Sequence, residues 1–227
     1  GKGDGKVLLD LTLGLDVTAH EITHAVTSTT SNLTYQNESG ALNEAMSDIM
    51  GSGVEAWVAS GGTDAGNPAM LKHSADTWLL GKEVAGPMLP GGSLRFMDNP
   101  TKDGQSKDFY SERIMPGGTD RGGVHLNSGM PNLVHVLLTQ GGKHPRAKTT
   151  VEVPAIGLGK SLQIFYLSNS KLLTASATFE TARYATAQAA RTLYGRCAPE
   201  VIATGRAWDA IGVPGLIQPC VRPPSHF

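Results

Sequence analysis

The sequence has no apolar run approaching the roughly 18 residues of a membrane-spanning helix, so no membrane is expected as a partner. It has no excess of charge of either sign. Nineteen basic and 20 acidic residues give a formal net charge of −1. Nothing in that balance suggests nucleic acid or an anionic membrane surface as a partner. There is no internal repeat, charge block or low-complexity tract. The opening GKGDGKVLLD has no apolar stretch behind a basic start. It does not read as a leader, and the expectation is a mature form or a piece of a longer precursor. Cysteine is scarce, with only Cys197 and Cys220. Neither has a Cys or His at ligand spacing, which argues against a cysteine metal site. They are either free thiols or a disulfide closing a loop of about 23 residues. Such a staple contributes on the order of 3 kcal/mol.

What is present is globular. Forty per cent hydrophobic and 17% charged residues over 227 positions can fill a core in one large domain or two small ones. The 28 glycines imply long or tightly turned loops. Residues 1–15 read as a turn and a short extended segment. Asp16 and Thr18 are candidate N-caps for a helix from about Val17 to Thr29. A second helix spans 40–59, with apolar residues at Leu42, Met46, Ile49 and Met50. Residues 81–123 read mostly as loop, and a loop that long inside a compact domain is usually functional. Helical patterns return at 127–140, 153–168, 177–194 and 198–211. Pro131 falls in the first turn of its helix, where proline is tolerated.

The stretch TAHEITHAV, residues 18–26, places His20 and His24 about 40° apart around a helix axis, with Glu21 about 60° from His24. Two imidazoles at that spacing can bind one metal ion while the carboxylate beside them acts as a base. The same pattern also occurs on ordinary helix faces. Catalytic zinc needs a third protein ligand and an open position. GALNEAMSD, 40–48, offers Glu44 as that ligand. Asp48, four residues on and on the same face, can hold the outer nitrogen of a ligand histidine, with Asn43 in the same supporting layer. Glu44 sits among Leu42, Ala45, Met46 and Ile49, where an unpartnered carboxylate is costly, so a cation partner is favoured over solvent.

DVTAHEITHAVT (16–27), YQNESGALNEAMSDIMG (35–51), GSLRFMDNP (92–100) and DRGGVHLNSGMPN (120–132) together resemble the successive signatures of the thermolysin family of zinc metalloendopeptidases. The 19 residues between His24 and Glu44 suit that family. AIGLGKSLQIFY, ARYATAQAARTLYG and AWDAIGV resemble its helical domain, so the likeness runs to about Val213. It implies a mainly α fold: a thermolysin-like catalytic helical domain made of an active-site helix pair and a C-terminal bundle. The corresponding division is 1–126 for the zinc-site helices and active-site loops, and 127–213 for the bundle. The tail, 214–227, would then be tied by Cys197–Cys220.

The resemblance implies one catalytic zinc on His20, His24 and Glu44, with Glu21 as general base. It implies His125, oriented by Asp120, and Tyr35 as oxyanion donors. Gly122 and Gly123 would let the backbone turn sharply so that His125 reaches the cleft. Without the resemblance, His125 reads as an ordinary helix-entry histidine and Tyr35 as a packed loop aromatic. Arg95 matches an arginine that holds a substrate carbonyl. Leu8, Leu11, Val17 and Leu94 match an apolar pocket for a bulky hydrophobic residue on the leaving-group side of the scissile bond, although each could equally be plain core. Asp16 and Glu55 match acidic calcium ligands. Leu79 and Lys82 stand near positions expected to be acidic, which argues against two calcium ions and leaves one open.

The family's strand-rich N-terminal lobe, which pairs with the substrate backbone, is not in this sequence, so that lobe or a separate chain is an expected partner. The expectation is therefore a secreted, extracellular endopeptidase acting on peptides or proteins. The alternatives are a non-catalytic, zinc-stabilised helical module, which would have no use for Glu21, His125 or Tyr35, and a zinc aminopeptidase, for which no acidic site for a free amine is evident.

Overall fold

The computed structural model describes residues 2–62, 67 and 71–215, and over them the protein is mainly helical. Two long helices open the chain: α1, Leu15–Thr29, and α2, Asn37–Ala59. A two-stranded antiparallel ribbon follows, β1 (Leu79–Leu80) against β2 (Arg95–Phe96), with Leu79 opposite Phe96 and Leu80 opposite Arg95. A short turn, α3 (Thr119–Gly123), leads to α4 (Gly129–Gln140). The bundle closes with α5 (Leu158–Leu167), α6 (Phe179–Tyr194) and α7 (Pro199–Ala210).

α2 is the axis of the molecule, touching α1, α4, α5 and α6. Its apolar residues Leu42, Ala45, Met46 and Ile49 follow the helical repeat and are all fully buried. They join Met130, Leu133 and Leu138 of α4, Phe165 of α5, Phe179 of α6 and Trp208 of α7 in one core. Each of these large side chains contributes on the order of 2–3 kcal/mol by leaving water. Gly51 lets α1 approach α2: a Cβ there would lie 2.6 Å from the carbonyl oxygen of Asp16. That close crossing brings the α1 histidines to the carboxylates of α2.

Several boundaries differ from the sequence expectation, each for a local reason. Among the described residues, 2–14 form no named strand. Asp4 Oδ1 accepts the backbone N–H groups of Lys6, Val7 and Leu8, curling the chain into a loop. Leu8 makes only an isolated bridge with Ala85, and Leu11–Leu13 is a 3₁₀ turn. α1 starts at Leu15, so Asp16 lies inside its first turn and Gly14 is the N-cap. α2 begins three residues early. The helix expected from 153 starts at Leu158, because Pro154 and the positive φ of Gly157 (88°) keep the preceding segment extended. α6 has a capping box, with Thr178 Oγ1 accepting from Thr181 N. The pairing of Cys197 with Cys220, and the tail beyond 215, lie outside the described residues.

Candidate metal centre and cleft

His20 and His24 project from one face of α1 toward Glu44 on α2. The two Nε2 atoms are 3.0 Å apart. Glu44 Oε2 lies 3.6 Å from His20 Nε2, and Oε1 lies 3.4 Å from His24 Nε2. The opposite nitrogens are held from behind. His20 Nδ1 is 2.8 Å from Asp48 Oδ1, and His24 Nδ1 is 2.7 Å from Asn43 Oδ1, with Ser47 Oγ at 3.2 Å. An imidazole that donates through Nδ1 presents a lone pair at Nε2. Two lone pairs and a carboxylate, 2% exposed, therefore converge on one point. Three acceptors gathered that closely, with Glu44 buried, call for a cation.

Tetrahedral zinc, with ligand bonds of about 2.0–2.2 Å, sets its ligand atoms about 3.3 Å apart. The three observed separations, 3.0, 3.4 and 3.6 Å, bracket that value, so these residues fit the ion. Among the described residues this is the one group of three ligating side chains whose atoms all lie within 4.8 Å of one another. Glu44 stays ionised. Burial works to raise its pKa, but the hydrogen bond with His24 and the charge of Arg95 more than offset it and hold it below the usual carboxylate range.

A cleft of about 470 Å³ opens over this centre. Glu21 lines it beside the two histidines, exposed and outside the converging set. On the other side stand Tyr35 and His125. The Tyr35 hydroxyl donates to Glu44 Oε1 and lies 3.0 Å from His125 Nε2. Burial, then the Glu44 contact, push its phenol pKa up, so it remains a proton donor. His125 Nδ1 is 2.7 Å from Asp120 Oδ1, while Asp120 Oδ2 accepts the backbone N–H of His125 at 2.7 Å. One carboxylate thus fixes both the ring and the chain that carries it.

The turn that delivers His125 is left-handed over four residues: Asp120, Arg121, Gly122 and Gly123 have φ of 55, 52, 83 and 85°. The glycine pair signals a sharp turn in the sequence, but nothing there signals that Asp120 and Arg121 share the conformation. At Gly122 a Cβ would meet Asn37 Oδ1 at 2.2 Å, so this residue has no room for a side chain.

Leu11, Val17 and Leu94 line an apolar wall of the cleft together with Leu80, which sequence reasoning missed. Leu8 is not among the lining residues. Arg95 also lines the cleft, with two of its N–H donors directed at Asp48. Asp48, fully buried, accepts in addition from Asn132 Nδ2 at 2.8 Å. Asn132 lies within the motif that carries His125, but a contact 84 residues away has no local sequence signal. Among the described residues, Asp16 and Glu55 are not gathered with a third carboxylate into a ligand set. Both Asp16 oxygens accept backbone N–H groups, Oδ1 from Val17 at 2.7 Å and Oδ2 from Gly81 at 2.5 Å.

Against known proteins, the model of the thermolysin metallopeptidase α-helical domain matches residues 31–213. Bacillolysin of Bacillus cereus is 44% identical over 213 residues, covering 94% of this chain and 34% of that protein. Thermolysin of Alicyclobacillus acidocaldarius is 43% identical over 213 residues, covering 94% and 35%. Among solved structures, the precursor of protealysin, a metalloproteinase from Serratia proteamaculans, superposes with a TM-score of 0.71 at 27% identity, over 94% of this chain and 62% of that one. The chain spans about a third of the length of the curated relatives it matches.

Proposed function

Because the chain belongs to the thermolysin metallopeptidase family, we propose that it is the catalytic helical part of a zinc endopeptidase cleaving on the N-terminal side of bulky hydrophobic residues. The observation that carries this reading is the convergence of His20 Nε2, His24 Nε2 and Glu44 under an open cleft, with Glu21 beside the set rather than in it. His20, His24 and Glu44 would hold the metal. When bound, zinc supplies Lewis acidity toward a water and a peptide carbonyl.

The chain's own residues do the rest. Glu21 takes the proton of the attacking water and passes it to the departing amine. His125 and Tyr35 donate hydrogen bonds to the charge that develops on the carbonyl oxygen, and Asp120 holds the His125 ring to that task. Arg95 retains N–H donors beyond the two spent on Asp48, and these are placed to reach a substrate carbonyl. Leu11, Val17, Leu80 and Leu94, all aliphatic, favour Leu, Ile, Val or Phe after the scissile bond.

In this reading residues 1–126 carry the chemistry and 127–213 support it. A strand-rich lobe of the same enzyme aligns the peptide, and the protein works outside the cell. Among the described residues no helix is long and apolar enough to cross a membrane. A Cys197–Cys220 disulfide belongs to the same reading, since disulfides persist in oxidising compartments.

The test is a peptide assay with Leu or Phe after the scissile bond, at fixed zinc, with and without a strand-rich N-terminal lobe. One zinc per chain and a large rise in kcat/KM with the lobe are expected, since positioning supplies several kcal/mol of barrier reduction. A chain that binds no zinc in either form would overturn the proposal.

A further inference from the structure

The corner that the sequence likeness assigns to calcium does not fit that ion. Calcium takes about six to eight oxygen ligands at about 2.3–2.6 Å. Here Asp16, at the start of α1, is 1% exposed, and each of its carboxylate oxygens accepts a backbone N–H. Glu55, on α2, is crowded: burial, then the charges of Asp16, Glu83 and Asp76, push its carboxyl up to about 7. Yet no three of these carboxylates share a point, since the ligating cluster found among the described residues lies at the histidines. Leu79 offers no side-chain oxygen. Beside them, at the surface, stands a cation that belongs to the chain. Lys82 Nζ lies 2.8 Å from Asp76 Oδ2, and its charge also acts on Glu55 and is reinforced by Glu83.

We infer that Lys82 is the resident cation of this corner, standing where the likeness places a divalent ion, and that the fold here is held without calcium. An ammonium suits the arrangement better than a divalent ion. It needs no ring of oxygens and offers three donors on a flexible stem. By ligand count the corner does not hold calcium. The corner matters to the cleft. Gly81, which donates to Asp16, precedes Lys82, and a Cβ on Gly81 would lie 2.5 Å from Leu94 in the apolar wall. Lys82 thus ends the segment that ties the start of the zinc-site helix to that wall.

The test uses the full-length protein in a zinc buffer, so that metal at the histidines stays fixed while calcium is varied. Thermal unfolding of wild type and E55Q is followed from zero to millimolar calcium, with terbium titration of both as a direct count of sites. The expected result is that E55Q and wild type show the same calcium response, within about 1 °C, and the same number of terbium sites. The double change L79E/K82E is expected to restore a site, giving a calcium-dependent rise of at least about 5 °C, as for a ligand well above its Kd. The inference is overturned if E55Q removes a terbium site or a calcium-dependent rise that wild type has. It is equally overturned if wild type gains as much stability from calcium as L79E/K82E does. Because wild type and E55Q alone decide the site count, a double variant that fails to fold does not blunt the test.

Discussion

Arg95 and Asp48, 47 residues apart in sequence, meet in a two-pronged ion pair: Nε to Oδ2 at 2.8 Å and Nη2 to Oδ1 at 2.6 Å. Burial disfavours a charged Asp48, but the Arg95 charge and the His20 hydrogen bond outweigh it and keep its pKa well below the usual carboxylate range. The carboxylate that steadies a histidine of the candidate metal centre is thereby itself steadied by a residue of the cleft. Arg95→Met leaves a fully buried charge without its main partner. The expected loss is about 3 kcal/mol or more in urea unfolding, with higher KM and weakened zinc affinity. A loss below about 0.5 kcal/mol would show that Asp48 does not depend on Arg95.

Glu21→Gln is expected to keep one zinc per chain while turnover falls by roughly 10²–10⁴-fold, the range for a positioned general base. Metal analysis and a peptide assay on the same sample check it. Loss of zinc together with activity would make Glu21 a ligand.

His125→Ala is expected to lower kcat by roughly 10²–10³-fold with KM much less affected, as for one lost oxyanion donor. Asp120→Asn should reproduce part of that fall, because the ring and the backbone of residue 125 both rely on Asp120. A change confined to KM would remove His125 from the transition state.

His135, on α4, is fully buried, with Nδ1 2.7 Å from Ser161 Oγ. Burial, and secondarily His73, push its pKa down from 6.5 to about 3. The unfolded chain therefore binds a proton here below about pH 6.5 that the folded chain refuses until about pH 3. Stability is complete above that window and falls as the pH drops through it, by up to about 1.4 kcal/mol per pH unit. His135→Gln should unfold less steeply with acid than wild type. The difference between the two is the readout, since protonation of the zinc histidines is common to both. Parallel curves would show that His135 is not the source.

The candidate metal centre was legible because its parts are local. His20 and His24 share a helix face by spacing alone, and Glu44 and Asp48 do the same on the next helix. What the sequence hid was long-range or conformational. Asn132 reaches Asp48, and Leu80 enters the cleft wall, only through tertiary packing. Arg121 follows Asp120 into the left-handed region, which residues other than Gly, Asn, Asp and His rarely take, so no propensity announces a run of this length. The turn expected near the start is closed by a single aspartate that captures three backbone amides. The calcium expectation rested on Asp16 and Glu55 alone, and Lys82 counted against it even in sequence.

Between Leu42 and Ile49, α2 has no spare face. Asn43, Glu44 and Asp48 serve the cleft, while Leu42, Met46 and Ile49 on the same two turns are sealed into the core. Attempts to engineer heat tolerance by repacking beneath this helix will therefore move the metal ligands with it, and variants will trade turnover for melting temperature. The α6–α7 contact, which carries none of the proposed site residues, is where such repacking is free to succeed without that exchange.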